Sequence, residues 1–214
     1  MSTDEKKNFP DSLAKILSVI FHPLFMPVYG LAIILSAPTL LGYLPFDIKK
    51  ILFLIVIVNN VLIPVALLPF FINRKIISSW AISDRKERII PLVIATILYA
   101  TTSFIIFRFP IPFFLKSFIF ALLFLSLVVT VINLWWKISL HSVGAGALVA
   151  IVIILSFKMY TPLVWYLISV IITGGFVLSS RLRLNFHNPQ QVWFGFLTGF
   201  LGLAVFMMLL QQLF

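Results

Sequence analysis

Seven apolar runs alternate with short polar intervals along the chain, over residues 13–36, 51–72, 89–108, 115–134, 142–157, 162–179 and 191–213. Each is close to the length that an α-helix needs to cross a bilayer core of about 30 Å. Lipid offers the backbone no hydrogen-bond partner, so runs of this length have to satisfy their peptide groups internally as helices. The pattern therefore predicts an all-α membrane protein, a bundle of about seven transmembrane helices, with 1–214 as one integral membrane domain. Pro27, Pro64 and Pro69 are expected to kink the first two helices, because proline donates no N–H to the turn before it. His22, ahead of Pro23, reads as a polar break in the first helix, and Asn59-Asn60 as groups that hydrogen-bond between helices. Trp135-Trp136 reads as part of an interfacial belt.

Composition agrees with that pattern. Of the 214 residues 62% are hydrophobic and only 10% charged, against roughly 25% charged in a soluble domain. The formal charge of +10 raises the question of nucleic acid. The basic residues, however, flank apolar runs and form no stripe, so bilayer topology and anionic headgroups account for them better. No nucleic-acid partner is expected. Residues 1–12 form a short polar leader, and its acids, Pro10 and the break at His22-Pro23 argue against a cleavable signal. With that leader inside, one face holds eleven Lys and Arg residues and the other five, which places the N-terminus in the cytoplasm of a multi-pass cell (inner) membrane protein.

Three polar intervals then fall on one face, since an even number of crossings separates each pair. They are Asp84-Arg85-Lys86-Glu87-Arg88, Lys137-Ile138-Ser139-Leu140-His141, and the stretch from Ser180 to Gln191. Charged and amide groups at a membrane boundary are costly unless they serve a function.

The remaining acids and thiols narrow the chemistry. The chain has no cysteine, which removes disulfides and thiolate ligands. Only Asp84 and Glu87 of its six carboxylates lie in the polar intervals. Magnesium held on a phosphorylated substrate needs clustered carboxylates, and three scattered histidines make a poor zinc set. No metal or cofactor is expected. What is left is histidine as nucleophile or acid/base and arginine as anion clamp.

Ser180-Arg181, five residues, His187, three residues and Gln191 follow the spacing S-R-x5-H-x3-D, with Gln for the final Asp, and Gly195 and Gly199 come after. This resembles the third motif of the type 2 phosphatidic acid phosphatases, a superfamily of membrane-bound lipid phosphatases. Ser139 and His141 resemble that family's second motif, P-S-G-H, at its Ser and His. Its first motif, K-x6-R-P, has no counterpart here; Arg85, Lys86 or Arg88, and separately Lys137, are the candidates to replace it. The resemblance covers about the last 80 residues.

It implies a phosphohistidine mechanism on a phosphorylated membrane lipid of the phosphatidic acid, phosphatidylglycerophosphate or polyprenyl diphosphate class. His187 would attack phosphorus, His141 would protonate the leaving oxygen, and Gln191 would orient His187. Arg181, Arg88 or Arg85, the Ser139 hydroxyl and Lys137 would hold the phosphate oxygens. Phosphoryl transfer is mainly positioning and charge stabilisation, and arginine's fork matches phosphate. Gln191 can accept the imidazole N–H but supplies no negative charge. The alternative is therefore a catalytically silent relative that binds or moves anionic lipid, or a membrane scaffold.

Overall fold

The structure, a computed structural model, describes residues 9–79, 82 and 84–213. The described residues form helices and no strand. Seven stretches among them are long and apolar enough to cross a membrane: Asp11–Ser36, Phe46–Asn73, Ile89–Phe107, Phe113–Trp135, Leu140–Lys158, Val164–Arg183 and Pro189–Gln212. The protein is an all-α, multi-pass membrane bundle. Of the polar leader expected over 1–12, residues 1–8 lie outside the described residues, and helix is already present at Phe9.

The first span is two helices, α1 (Phe9–Ile20) and α2 (Met26–Ser36), separated by a break at Phe21-His22 and a 3-10 turn over Pro23–Phe25. The break belongs to Pro23, while Pro27 sits in the first turn of α2, where a missing N–H costs nothing. His22 is extended, at φ −62° and ψ 140°, and its Nδ1 accepts the Leu24 N–H at 3.4 Å. The second span is α3 (Phe46–Ile57) and α4 (Ile63–Asn73), joined by a π turn over Val58–Leu62. Pro64 cannot donate to the Asn60 carbonyl, and the Ile63 N–H reaches back to Val58 instead. Within that turn Asn60 is buried and accepts from the Thr102 hydroxyl at 3.1 Å, an interhelical bond from the Asn59-Asn60 pair.

The later spans are single helices: α5 (Ile89–Phe107), α6 (Phe113–Trp135), α7 (Leu140–Lys158), α8 (Val164–Arg183) and α9 (Pro189–Leu213). Hydroxyls stitch α5 to α6, with Thr96 Oγ1 at 2.9 Å from Ser126 and 3.0 Å from Thr130. The centre of the bundle is α7, 72% buried where no other span exceeds 44%. It packs against α2, α8 and, most extensively, α9.

Small residues make that last contact possible. A Cβ on Gly199 would lie 1.9 Å from the Val143 carbonyl oxygen, and one on Gly146 would lie 2.1 Å from that of Phe196. Backbone meets backbone at both points, so no side chain can move aside. Gly199→Ala should therefore separate α7 from α9, at a cost of about 1–3 kcal/mol or more. A clear fall in thermal midpoint in detergent would show it, and an unchanged midpoint would mean that the helices are not in this contact.

Candidate functional site

Two chain reversals carry the polar residues to one place. At the end of α8, Asn185 takes a left-handed conformation, φ 54°, which asparagine tolerates. The chain turns there and brings Phe186 and His187 back towards the bundle before Pro189 opens α9. On the other side Ser139 caps α7, its Oγ accepting from the Ser142 N–H at 3.5 Å and the Ser142 hydroxyl at 2.9 Å. His141 then falls in the first turn of α7.

A cavity of about 410 Å³ lies between these elements. Arg88, His141, Arg181 and His187 all line it, so residues from the three polar intervals do meet. Lys15, Ser18 and His22 of the first span complete its polar wall, and leucines and prolines of α4 and α5 form an apolar one.

Arg181 is the centre of the polar wall. It is only 6% exposed. One Nη donates to the Ser18 hydroxyl and the other to His141 Nδ1 at 3.4 Å, while its buried Nε has no partner among the described residues. Its guanidinium also lies 5.0 Å above the Phe186 ring. Among the described residues no carboxylate lines the cavity beside Lys15, Arg88 and Arg181. The nearby acids are engaged elsewhere: Asp11 pairs with Arg183 at 2.7 Å, Glu87 accepts from Ser78, and Asp84 accepts the Lys86 N–H. A buried guanidinium without a carboxylate is strongly disfavoured unless a ligand supplies the negative charge.

The three imidazoles differ by their partners. His187 Nδ1 lies 2.9 Å from Gln191 Oε1, which also accepts the Asn188 N–H at 3.4 Å. That oxygen only accepts, so Nδ1 carries the proton and the Nε2 lone pair is left over. Burial pushes His187 down to about 4, the bond to Gln191 opposes this, and Arg88, Lys137 and Arg181 push it lower. The ring is neutral at pH 7. His141 is held at both nitrogens, Nε2 donating to the Ser18 carbonyl at 3.1 Å and Nδ1 accepting from Arg181. His22 stands edge-on to it, ring centres 5.6 Å apart. Because His22 Nδ1 accepts a backbone N–H, its proton sits on Nε2.

Of Arg88, Lys137, Ser139 and Arg85, only Arg88 lines the cavity. Arg88 donates to the Ile82 carbonyl at 2.9 Å and the Ile138 carbonyl at 3.4 Å. Burial lowers its pKa, with Asp84 opposing. Lys137 does not line the cavity, although burial and the Arg88 charge lower its pKa and Asp84 raises it. Ser139 is fully buried and spent on its cap. Arg85 donates to the carbonyls of Asn133, at 3.2 Å, and Leu134, while Asn133 donates back to the Arg85 carbonyl at 3.1 Å. Arg85 thus ties the 84–88 loop to the C-terminal end of α6. Arg85→Ala should lower stability by about 1.5–3 kcal/mol and change anion affinity far less than Arg88→Ala. Thermal melts and phosphate-analogue titrations of the two variants separate these roles.

His22 acts as more than a break before Pro23, since its ring lines the cavity. The available signal was its cost: a histidine within an apolar run with no partner nearby in sequence. Lys15 and Ser18 had no such signal, because a residue at the end of a span is ordinarily a flank.

No family model, curated protein or solved structure matches the chain.

Proposed function

We propose that the protein is a metal-independent phosphatase acting on a phosphate monoester or diphosphate of a membrane lipid, through a phosphohistidine on His187. The observation that carries this reading is the buried Arg181, unpaired with any carboxylate among the described residues, which shares one cavity with a neutral His187. The phosphate binds between Arg181, Arg88 and Lys15. The His187 Nε2 lone pair attacks phosphorus in line, and the bond to the lipid oxygen breaks. Phosphate takes over the Arg181 Nη that His141 Nδ1 accepts from, which frees Nδ1 to carry a proton, and His141 gives that proton to the leaving oxygen. In the second step the freed His141 Nδ1 takes a proton from the water that attacks phosphorus, and the bond to His187 breaks. One well-placed donor is worth about 3–4 kcal/mol in such a transition state.

This reading places the chain in a cell (inner) membrane with its N-terminus in the cytoplasm. The test is phosphate release in chelator-treated detergent from phosphatidic acid, phosphatidylglycerophosphate and polyprenyl diphosphate. Release from at least one is expected. The neutral amide of Gln191 favours the second reading, a silent binder of anionic lipid; tight binding of these lipids with no release from any would select it.

The protonation of His187 gives a further check. With its pKa at about 4, the ring keeps its lone pair throughout the neutral range and loses it only as pH falls through that value. Histidine NMR of the free protein should show one imidazole, absent from His187→Ala, titrating far below the usual 6.5. An ordinary titration would mean that His187 does not sit in this cavity.

A further inference from the structure

A second cavity, of about 140 Å³, lies behind the cationic one, and the two share Pro23, Leu24, Leu92, Ala95 and Leu140 as walls. It is bounded by the 3-10 turn and by α2, α5, α6 and α7, and of its seventeen lining residues only Tyr99 and Ser126 carry an oxygen on the side chain. The Ser126 hydroxyl is already bonded to Thr96 at 2.9 Å. Along α5 this compartment runs from Leu92 to Tyr99, along α7 from Leu140 to Leu148, and along α6 from Val129 to Phe118. At 1.5 Å per residue those stretches span about 10–16 Å, and half the hydrocarbon thickness of a bilayer is about 15 Å.

From this we infer that the second cavity receives a segment of one hydrocarbon chain of the lipid whose phosphate binds at Arg181, about six carbons long, since a cavity of about 150 Å³ holds one benzene. The inference rests on the phosphate-binding part of the proposed function and not on hydrolysis. The charge at the mouth selects the headgroup, and Leu92 and Leu140 border both hollows, so a chain passing between them leaves the cationic cavity for the apolar one. At the far end Tyr99 offers a single neutral hydroxyl and no charge, too little to hold a second headgroup. Selectivity then lies in the chain as well as the phosphate, so the favoured substrates are long-chain lipid phosphates and not soluble phosphate esters.

The test uses the full chain in nanodiscs with a lysophosphatidic acid carrying a diazirine about six carbons along a palmitoyl-length chain. After irradiation the adducts are mapped by mass spectrometry. Adducts are expected on inward residues such as Tyr99, Leu122 and Ala147. They should fall about tenfold or more with excess unlabelled lysophosphatidic acid, with a phosphate-free monoacylglycerol probe, and in Ala147→Phe, whose ring would fill a chain-sized space. Leu122→Trp serves as the second variant if Ala147→Phe does not fold. Adducts confined to lipid-facing Ile97, Phe104 and Ile153 would overturn the inference. So would inward adducts indifferent to the phosphate or to both variants, or displacement by inorganic phosphate as effective as by the lipid. Phosphate release measured on the same lipid keeps the two ideas apart: inward adducts without release would sink hydrolysis and leave the chain site standing, and release with outward adducts alone would do the reverse.

Discussion

His187→Ala is expected to abolish phosphate release while leaving lipid binding largely in place. The variant removes the only ring in the cavity whose lone pair is left unused, since His141 is held at both nitrogens and His22 turns its lone pair to Leu24. Loss of a nucleophile typically lowers turnover by about 10⁴- to 10⁶-fold. The variant should stay folded, because His187 sits in a turn outside the α7–α9 contact and its one side-chain bond is to Gln191. Arg181→Ala should behave differently, weakening binding of the phosphorylated lipid itself, because it removes the buried positive charge. Release that survives His187→Ala would end the phosphohistidine proposal, whereas parallel loss of binding in both variants would point to a structural role for the ring.

Gln191→Glu should raise the rate. Gln191 orients His187 through a 2.9 Å bond but leaves the imidazolium-like charge of the transition state unbalanced. Glutamate has the same reach, so it keeps the bond and adds a negative charge, and the Asn188 N–H at 3.4 Å helps to hold it. A carboxylate exchanged for its amide behind a catalytic imidazole costs about 10⁴-fold in a well-studied triad. The reverse exchange here should recover a substantial part of that factor. The same charge opposes burial and must lift the His187 pKa above about 4, moving its titration towards neutrality. A rise in both quantities supports the assigned roles. A shifted titration with no rate gain would show that Gln191 orients a ring that does no chemistry.

The spans were legible in the sequence almost to the residue where local rules govern them. The run at 89–108 became Ile89–Phe107, and that at 115–134 became Phe113–Trp135. The larger differences involve charges that helices accommodate at their ends. Phe46–Asn73 starts ahead of the run at 51–72 because Lys49 bends back to the carbonyls of Leu35 and Gly42. Val164–Arg183 overruns the apolar stretch for a similar reason, which puts Arg181 on the last turn of α8 and not in a loop. The π turn at Val58–Leu62 was foreshadowed only as a proline kink, since proline specifies a lost bond and not how the chain compensates for it.

Within the site, the sequence and the structure decide different things. Spacing alone put Gln191 four residues beyond His187, but the bond between them is set by the cap of α9, where Asn188 and Gln191 each accept the other's backbone N–H and Gln191 Oε1 is turned towards His187. It also put three polar intervals on one face by counting crossings. Spacing could not tell that Arg85 would bind the end of α6 while Arg88 reached the cavity, although only two residues separate them. It could not bring Ser18 and His22 against His141 and Arg181, which lie more than a hundred residues away in the chain.

By itself the sequence determined that this chain is a helical membrane bundle and where its helices run, because lipid forces each peptide group to find a partner within its own segment. Only the tertiary structure decided which cations face a common hollow, which imidazole keeps an unused lone pair, and where an apolar chamber adjoins them. Those outcomes depend on how close α7 and α9 approach and how α1 folds back at Pro23, contacts between distant segments that local periodicity does not encode.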